Sequence, residues 1–455
     1  MRPRPCRFQL VLPFFLVTVG LFAPCTTAVG QEPVPAEPVP AEPVSVEPVP
    51  AEPAPEAQDQ AADLGKLLLR TVEPLPWTDV ASEDGFFRAK VPAKPIDAVL
   101  ATDELYALEL DFGAGADESA MCHVYRKGLD PASSLLRSSE RVFELLQASY
   151  GELTLKTVYG VDAGGIGSVP YWGVDWLYRT AGKEGVAPVA GQAKHLIATK
   201  KGRAIYCRST TLGYDDAFFN LFKVLVATVR YQEDSGPDPF YQELILITVG
   251  DQVLGVGQVS QSLSADGNVE HRESRSLLVP AEAGGLQAQD SFSLETGAIG
   301  GELLSKVGVE VVDGKIRSQL RLSRERGSAW KVGGTYLGHE IVKEIGEETR
   351  LSDLGKRRAF GRFLESAQPG DTFFTLGWEP ALDPTLWSNT KLIYQGKDSQ
   401  DPSLYRFGVN IGDAVSQARI DENLSLVELT AKMGVVVMTE QRVFVEGEPM
   451  PPSRD

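Results

Sequence analysis

The chain has 455 residues, of which 43% are hydrophobic and 23% are charged. This length is sufficient for two or three domains, and the composition is too balanced for a fibrous or wholly disordered protein. The formal net charge of −18 would repel a phosphate backbone, so nucleic acid is not an expected partner.

The first thirty residues have the pattern of a cleavable secretory signal. Three arginines precede an apolar stretch over residues 8–22, and small residues follow as far as Gly30. The apolar stretch is shorter than the roughly 20 residues that cross a bilayer. We therefore predict a signal peptide over residues 1–30 and no stable transmembrane segment after its cleavage. Retention of the segment as a membrane anchor and lipidation of Cys25 are the alternatives. The predicted location is the periplasm, the cell envelope or the extracellular space.

Residues 31–62 repeat a proline-rich unit of five residues, most often EPVPA. Proline fixes φ and removes a backbone donor, so this segment is predicted to be an extended polyproline-II linker rather than a helix or strand. Each unit also carries a glutamate. The linker is interpreted as a stiff acidic spacer, and the alternative is a docking ligand for a partner that binds proline-rich segments.

Residues 63–233 are predicted to form a first folded domain. Period-two alternation predicts strands at residues 106–112, 119–125, 153–159, 172–178, 193–200 and 203–209. Helical spacing of apolar residues predicts one helix from Asp130 to about Ser149 and a second from about Asp215 to Val229. One inserted and one appended helix predict an α+β sandwich, in which helices cover an antiparallel sheet.

Two cysteines, Cys122 and Cys207, remain after the predicted signal is removed. In an oxidising compartment such a pair is able to form a disulfide. Closing a loop of this length would stabilise the fold by roughly 4 kcal/mol in the chain-entropy model. The alternative is that both are free cysteines in the core, because each lies on the apolar side of its predicted strand.

Three aromatic residues, Trp172, Trp176 and Tyr178, lie on one face of a single predicted strand. Such side chains bury a large apolar area and also carry N–H and O–H groups that bind polar partners. They are interpreted either as core residues or as the floor of a ligand-binding or partner-binding site, which would require them to be accessible to solvent.

The end of this domain resembles a known family. The stretch from His195, HLIATKKGRAIYCRSTTLGYDDAFFNLFKVLVATVRY, resembles the C-terminal hairpin and helix of PsbP/MOG1-like domains, and FFRAKVPAKP from Phe86 is similar to the opening of those domains. The resemblance covers about 150 residues. It implies a non-catalytic adaptor with a binding role, although the long acidic spacer departs from the family pattern.

A linker rich in proline and acidic residues, at residues 233–239, precedes a second predicted domain at residues 240–446. Alternating stretches and tight-turn dipeptides such as Asp266-Gly267 predict many antiparallel strands, and one helix is predicted from Asp353 to Glu365. We expect a mostly antiparallel β domain, either a strongly curved sheet or a partial barrel with one helix. Its strand rhythm faintly resembles lipid-carrier and lipoprotein-carrier modules of the Gram-negative envelope. Residues 447–455 are predicted to be a disordered tail.

The sequence contains few motifs that indicate catalysis or the binding of a metal or cofactor. His339-Glu340 begins like a zinc-protease motif, but position 343 is lysine, and the pairs Gly165/Gly167 and Gly255/Gly257 lack the third glycine of a dinucleotide site. No metal site and no cofactor are predicted.

These features predict an exported bacterial protein of the cell envelope that acts as a non-catalytic binding or scaffolding module, with an unidentified protein or an apolar ligand as its partner. The first alternative is a carrier of an apolar ligand in the β domain. The second is a hydrolase in which His195 acts with Ser209 or Asp175.

Overall fold

The computed structural model describes most of the chain after residue 71. It describes residues 72–450 except residues 74, 97–99, 102–104, 114–118, 127–130, 211, 233–238, 251, 281–285, 326, 381–382, 412–413, 423–424 and 434–435. The predicted signal peptide, the proline-rich spacer and the end of the predicted tail lie outside the described residues.

The described chain is mostly antiparallel β structure, with 60% of it in strands. Its strands form sheets of three, eight and 14 strands. The predicted antiparallel β character is therefore confirmed, whereas the predicted α+β sandwich, an antiparallel sheet covered by helices, is wrong. The three helices of the described residues are too few and too short to cover these sheets.

The first half of the chain holds the two smaller sheets. The three-stranded sheet contains β1 (Thr78–Ala81), β2 (Phe87–Val91) and β11 (Arg230–Tyr231). The eight-stranded sheet contains β3 (Lys94–Pro95), β4 (Leu100–Ala101), β5 (Leu105–Asp111), β6 (Ala120–Tyr125), β7 (Leu153–Ile166), β8 (Val169–Thr180), β9 (Ala190–Lys200) and β10 (Arg203–Ser209). Its order is β3-β5-β6-β10-β9-β8-β7, with β4 beside β5. Helix α1 (Pro131–Tyr150) follows β6, and α2 (Asp215–Thr228) follows β10.

Helix α2 packs on part of one face of the eight-stranded sheet. It begins with two acidic residues, which favourably meet the positive end of the helix dipole. Phe218, Leu221, Phe222 and Leu225 follow at helical spacing and are buried in one cluster with apolar residues of β2, β5, β6 and β10. Burial of this apolar stripe is what holds the helix on the sheet.

The second half forms the 14-stranded sheet. Its strands are β12 (Tyr241–Val249), β13 (Gln252–Leu263), β14 (Val269–Pro280), β15 (Leu286–Gly297), β16 (Leu303–Val312), β17 (Lys315–Ser323), β18 (Lys331–Tyr336), β19 (His339–Glu344), β20 (Thr372–Gly377), β21 (Ser388–Lys397), β22 (Tyr405–Ile411), β23 (Ala414–Ile420), β24 (Leu426–Met433) and β25 (Val436–Gly447). Each strand pairs with the next along the chain, except that β19 and β20 form the two edges and β12 pairs with β25 in the middle. Helix α3 (Asp353–Leu364) lies between the two edge strands in sequence.

Helix α3 and one loop pack on the same face of the 14-stranded sheet, which we call the inner face. Phe360 of α3 contacts Phe373 and Phe407, with ring centroids 5.1 and 5.0 Å apart. The segment after β20 brings Trp378 and Trp387 into a buried cluster with Trp330 and with residues of β16, β17 and β18. The inner face is therefore filled by α3 on one side and partly covered on the other by residues 378–380 and 383–387, the described part of what we call the 378–387 loop.

The opposite, outer face of the 14-stranded sheet packs against the first half of the chain. Leu244, Val256 and Leu278 share a hydrophobic cluster with Trp176 and with Phe143 of α1. The 14-stranded sheet, together with α1, thus covers a face of the eight-stranded sheet, which was expected to be covered by helices alone. The domain division at residues 63–233 and 240–446 stays a prediction, but apolar residues from both segments meet in this cluster.

Within the part of the chain that the structure describes, no helix combines the length and the apolar character needed to cross a membrane.

Candidate functional site

The inner face of strands β14, β15 and β16 carries polar side chains where a core would be expected to be apolar. Register places His271 opposite Glu295, Glu273 opposite Ser293, and Arg275 opposite Ser291. On β16, Lys306 pairs with Glu295, and Glu310 pairs with Ser291. Because alternate residues of a strand share a face, these polar rows all point toward the interior that α3 and the 378–387 loop enclose.

A cleft of about 120 Å³ opens between these rows and the loop after β20. Most of its lining residues carry charged or hydrogen-bonding side chains, namely Glu273, Arg275, Gln289, Ser291, Ser293, Lys306, Glu310, Ser318, Tyr336 and Glu379. Leu320 and Pro380 add apolar atoms. A β-carbon on Gly308 would lie 3.2 Å from Pro380 Cγ, so the glycine allows the loop to approach the sheet closely. The cleft is thus small, lies under a loop and is lined mainly by residues whose side chains carry a polar group.

Arg275 lies at the floor of the cleft and is only 2% exposed. Its Nε donates to Glu273 at 2.7 Å and its Nη1 donates to Glu440 at 2.6 Å. Burial alone would lower the pKa of Arg275, but Glu440 and Glu273 outweigh it and raise the pKa above its ordinary value. The third nitrogen, Nη2, is buried and has no hydrogen-bond partner. Arg275 is therefore a permanent cation that keeps one buried nitrogen without a hydrogen-bond partner.

Gly257 explains how Arg275 reaches Glu440, which is three strands away in the sheet order. Gly257 on β13 lies opposite both Arg275 and Ile245, and a β-carbon there would already lie 3.5 Å from Arg275 Cγ. A larger side chain would occupy the path of the arginine. The glycine pair that the sequence analysis excluded as a dinucleotide site thus has a packing role in the sheet.

Lys306 is the second cation of the cleft. Its Nζ lies 3.5 Å from Glu379 Oε1. Burial would lower the pKa of Lys306, but Glu379, Glu295 and Glu273 together raise it. The lysine consequently stays charged, and it ties the covering loop to the sheet through Glu379.

Glu440 and Glu243 are fully buried carboxyl groups behind the cleft. Burial raises the pKa of Glu440 to about 7, against the lowering effect of Arg275. Burial likewise raises the pKa of Glu243, which accepts a 2.6 Å hydrogen bond from the Tyr241 hydroxyl. One oxygen of each carboxyl group has no hydrogen-bond partner. Glu440 therefore titrates near neutral pH, well above the range of a surface glutamate.

The N-terminal turn of α3 is fixed to the inner face by a second set of polar contacts. Asp353 accepts hydrogen bonds from Arg357 Nε at 2.7 Å and Gln261 Nε2 at 3.0 Å, and its Oδ2 lies 3.5 Å from His271 Nδ1. Arg357 also donates to Ser425 Oγ at 3.2 Å. Ser352 caps the helix by accepting from the Gly355 amide. These contacts set the position of α3 relative to β13 and β14 and hence the depth of the interior.

The aromatic residues predicted as ligand-binding candidates are buried between sheets. Trp172, Trp176 and Tyr178 belong to the cluster that joins β8 to α1 and to the outer face of the 14-stranded sheet, and Trp176 is 1% exposed. Phe143 contacts Trp176 edge-on with centroids 5.2 Å apart. The indole nitrogens of both tryptophans have no hydrogen-bond partner. They therefore occupy core positions, away from the polar cleft.

Cys122 and Cys207 occupy directly paired positions on β6 and β10 and are joined by a disulfide. Both are fully buried beneath α2. The bond cross-links two neighbouring strands and is remote from the cleft in the fold.

The residues of the hydrolase alternative are not brought together. His195 shares its strand face with its partners Arg208 and Val174, whereas Asp175 and Ser209 both pair with Lys194 on the opposite face. The His195 ring bonds the Tyr206 hydroxyl at 2.6 Å, and burial lowers its pKa to about 3. This geometry does not form a triad or a dyad.

A second cleft, of about 300 Å³, lies between α1 and strands β5, β6 and β10. Arg208 and Glu109 line it together with Leu145, whose side chain is largely exposed. Glu109 accepts a hydrogen bond from Ser119 Oγ at 2.8 Å. Because this cleft is more open and has no buried polar atom without a partner among its lining residues, the cleft of the 14-stranded sheet is the stronger candidate site.

The residues of the polar cleft were not identified from the sequence. The signal that was present is the run HRESR, residues 271–275, in which every residue of a long strand is charged or polar. Such a pattern normally indicates a solvated strand face, and only the fold shows that this face is covered.

Among the described residues, no group of histidine, cysteine, aspartate and glutamate side chains is arranged to hold a metal ion. No protein-family model and no curated protein matches the chain.

Two solved structures are similar to parts of the chain. One is the crystal structure of a beta-barrel-like protein with a domain of unknown function from Brucella abortus, with a TM-score of 0.37 and 11% identity over 46% of this chain and 99% of that chain. The other is the solution structure of cyanobacterial PsbP from Synechocystis, with a TM-score of 0.24 and 13% identity over 36% of this chain and 96% of that chain. The comparisons are thus weakly consistent with the PsbP-like resemblance, and they carry no argument about function.

Proposed function

We propose that this protein is an exported, non-catalytic binding module of the bacterial cell envelope, and that the polar cleft of its 14-stranded sheet is the binding site. The observation that carries the proposal is a covered cleft lined by charged and hydrogen-bonding side chains, Arg275 and Lys306 among them. Polar groups in a protein interior need polar partners, so a ligand with polar groups suits such a lining.

The size and chemistry of the cleft support a small polar ligand. Its volume of about 120 Å³ is below the roughly 300 Å³ from which pockets for drug-sized ligands start. An apolar chain would have to desolvate Lys306, Glu273 and Glu379 without giving them partners. The apolar-carrier alternative therefore has no specific observation in its favour here, and a binding role is preferred.

The fixed surroundings of the cleft also support binding. Glu379 and Pro380 cover it from a loop that Trp378 and Trp387 anchor, while Arg275 and Lys306 lie on β14 and β16, which β15 separates. A site that is held in place before the ligand arrives loses less conformational entropy on binding.

Saturation-transfer NMR on the purified protein tests the proposal. The probes are a panel of small polar solutes that includes glucose, glycerol, alanine and lactate, together with laurate as the apolar probe. We expect at least one polar solute to bind and laurate not to bind. The variant Ser291→Leu, which fills the cleft from β15, should abolish that binding.

The matched control is Ser305→Leu, a change on neighbouring strand β16 outside the cleft lining. It should leave binding unchanged. Binding of laurate alone would favour the carrier instead. Binding that survives Ser291→Leu would place the site elsewhere and overturn the assignment of the cleft.

A further inference from the structure

We infer that the free edge of β20 pairs with the same edge of a second copy of this chain, so that two 14-stranded sheets join into one continuous antiparallel sheet. The residues of β20 do not line the polar cleft. The pairing is therefore independent of whether a ligand binds there.

The backbone of β20 is hydrogen-bonded to a strand on one side only. β20 is the last strand in the sheet order, and among the described residues it pairs with β21 alone. Where β20 begins, the Gly370 amide donates to the Tyr394 carbonyl, and the Tyr394 amide donates to the Asp371 carbonyl. Tyr394 of β21 thus directs both of its backbone groups toward β20.

This bonding fixes which residues of β20 have backbone groups at the free edge. In an antiparallel pair, backbone groups point alternately toward and away from the neighbouring strand. Counting along the register from Tyr394, the odd-numbered residues of β20 bond to β21. The amides and carbonyls of Thr372, Phe374 and Leu376 therefore point outward, in the arrangement that an added strand requires.

The side chains at this edge are apolar and exposed. Phe373 contacts Phe360 of α3 on the inner face, so Phe374 and Leu376 lie on the outer face of the sheet. Phe374 is 58% exposed and Leu376 is 38% exposed. The sequence of β20, TFFTLG, contains no charged residue and no proline. A strand of this kind at a sheet edge favours pairing with another strand.

Other sheet edges carry features that oppose strand addition. β19, the second edge of the same sheet, contains Glu340 and Lys343 among its charged residues. β7 contains Lys156 and two register shifts, and β3 is only the dipeptide Lys94–Pro95. Charge, bulges, proline and short length are the means by which edges avoid pairing. β20 has no such charge, bulge or proline, which indicates that its edge is meant to pair.

The partner that fits this edge is a second copy of β20. Two identical antiparallel strands pair across a two-fold axis. All three outward residues are paired only when Phe374 lies opposite the partner's Phe374 and Thr372 lies opposite the partner's Leu376. This register places two aromatic rings together and no two like charges opposite each other, which favours cross-strand pairing.

The two-fold pairing also closes the assembly. It uses the β20 edge of both copies, so the association stops at a dimer. Pairing of β20 with β19 of another copy would instead continue from copy to copy and would set Phe374 and Leu376 among charged residues. A strand of six residues is a small interface, so we expect a weak, reversible dimer.

Sedimentation velocity on the purified protein over a concentration series tests the inference. The buffer contains about 0.15 M NaCl, which screens the repulsion between two chains of net charge −18. We expect a shift from monomer to dimer with a dissociation constant in the micromolar range. Monomer at every concentration would overturn the inference.

Two variants assign the dimer to the edge of β20. Phe374→Lys sets two like charges opposite each other at the centre of the pairing, and Thr372→Pro removes an outward amide without removing a bond to β21. Each should weaken the dimer at least about tenfold. The matched control Val342→Lys adds the same charge to edge strand β19, where Val342 is 79% exposed, and should leave the dimer unchanged.

Cysteine cross-linking tests the register. Under mild oxidation, a mixture of the Thr372→Cys and Leu376→Cys proteins should form an intermolecular disulfide, and each protein alone should not. Circular dichroism establishes that Thr372→Pro is folded, and Phe374→Lys tests the same edge if it is not. A dimer that persists in Phe374→Lys, or one that Val342→Lys abolishes, would place the interface elsewhere and overturn the inference.

Discussion

Glu440 is completely buried and forms an ion pair with Arg275, and these two features shift its pKa in opposite directions. Burial raises its pKa to about 7 from the ordinary 4.5, and nearby Glu273 adds to the rise, while Arg275 opposes it. The folded protein therefore holds this proton more tightly than the unfolded chain does. Its stabilising contribution is complete below about pH 4.5 and is lost as the pH rises through about 7.

Replacing Glu440 with glutamine should flatten this pH dependence. We expect wild-type protein to lose about 2 to 3 kcal/mol of unfolding free energy from this group between pH 4.5 and pH 8. Glu440→Gln should not show that loss, because the amide does not titrate. Urea unfolding at a series of pH values measures it. Glu446→Gln, at an exposed position of the same strand, serves as the control, and an equal slope in wild type and Glu440→Gln would contradict the prediction.

The disulfide between Cys122 and Cys207 gives a second prediction for single residues. The double variant Cys122→Ala with Cys207→Ala releases a loop with a sequence separation of 85 residues. In the chain-entropy model this costs roughly 4 kcal/mol of unfolding free energy. Denaturant unfolding of the variant measures the loss, and wild type under reducing conditions provides a chemical comparison. A loss below about 1 kcal/mol would show that the bond constrains the unfolded chain little.

Helix α3 shows which features of a single helix can be predicted from the sequence. The sequence predicts it from Asp353 to Glu365, and it is observed at Asp353–Leu364. Its length is set by the Ser352 cap and by the apolar spacing of Leu354 and Phe360. Propensity and capping are local properties, which is why this element is recognisable from sequence. Its polar contacts with β13 and β14 join residues that are far apart in the sequence, so these contacts are not recognisable from the sequence.

Phe360 is the side chain through which α3 fills the interior. It contacts Phe363, Phe373 and Phe407, and it is nearly fully buried. We expect Phe360→Ala to cost about 3 to 5 kcal/mol, because a cavity would replace these contacts. Thermal and denaturant unfolding measure the change. Phe374→Ala is the control, since Phe374 is 58% exposed on edge strand β20, and an equal cost for both variants would contradict the packing role.

At the scale of the whole molecule, sequence patterns identified strands but not what covers them. The hairpin predicted at residues 193–209 is present as β9 and β10, yet the α+β sandwich is wrong because β12, β13 and β14 supply much of the cover over β8. An alternating strand indicates that one face is buried without indicating by which element. The cleft was missed for a related reason, since its residues come from five strands and one distant loop.

Gly165 provides a test of the contact between the two halves. A β-carbon at this position of β7 would overlap the ring of Phe444 on β25. We expect Gly165→Ala to lower the unfolding free energy by about 1 to 3 kcal/mol, because the ring must move out of a packed cluster. Gly160→Ala on the same strand is the control, since a β-carbon there meets only Asp175 Oδ2 at 3.8 Å. Equal melting temperatures for the two variants would show that the halves are not tightly packed at this point.

The pairing of β12 with β25 has a consequence for the order in which the protein is made. β12 is the first strand of its sheet to leave the ribosome and β25 is the last. One edge of β12 therefore has no pairing partner until β25 has been synthesised. Contacts between segments so far apart in sequence form slowly. The 14-stranded sheet therefore cannot be completed before its last strand has been synthesised.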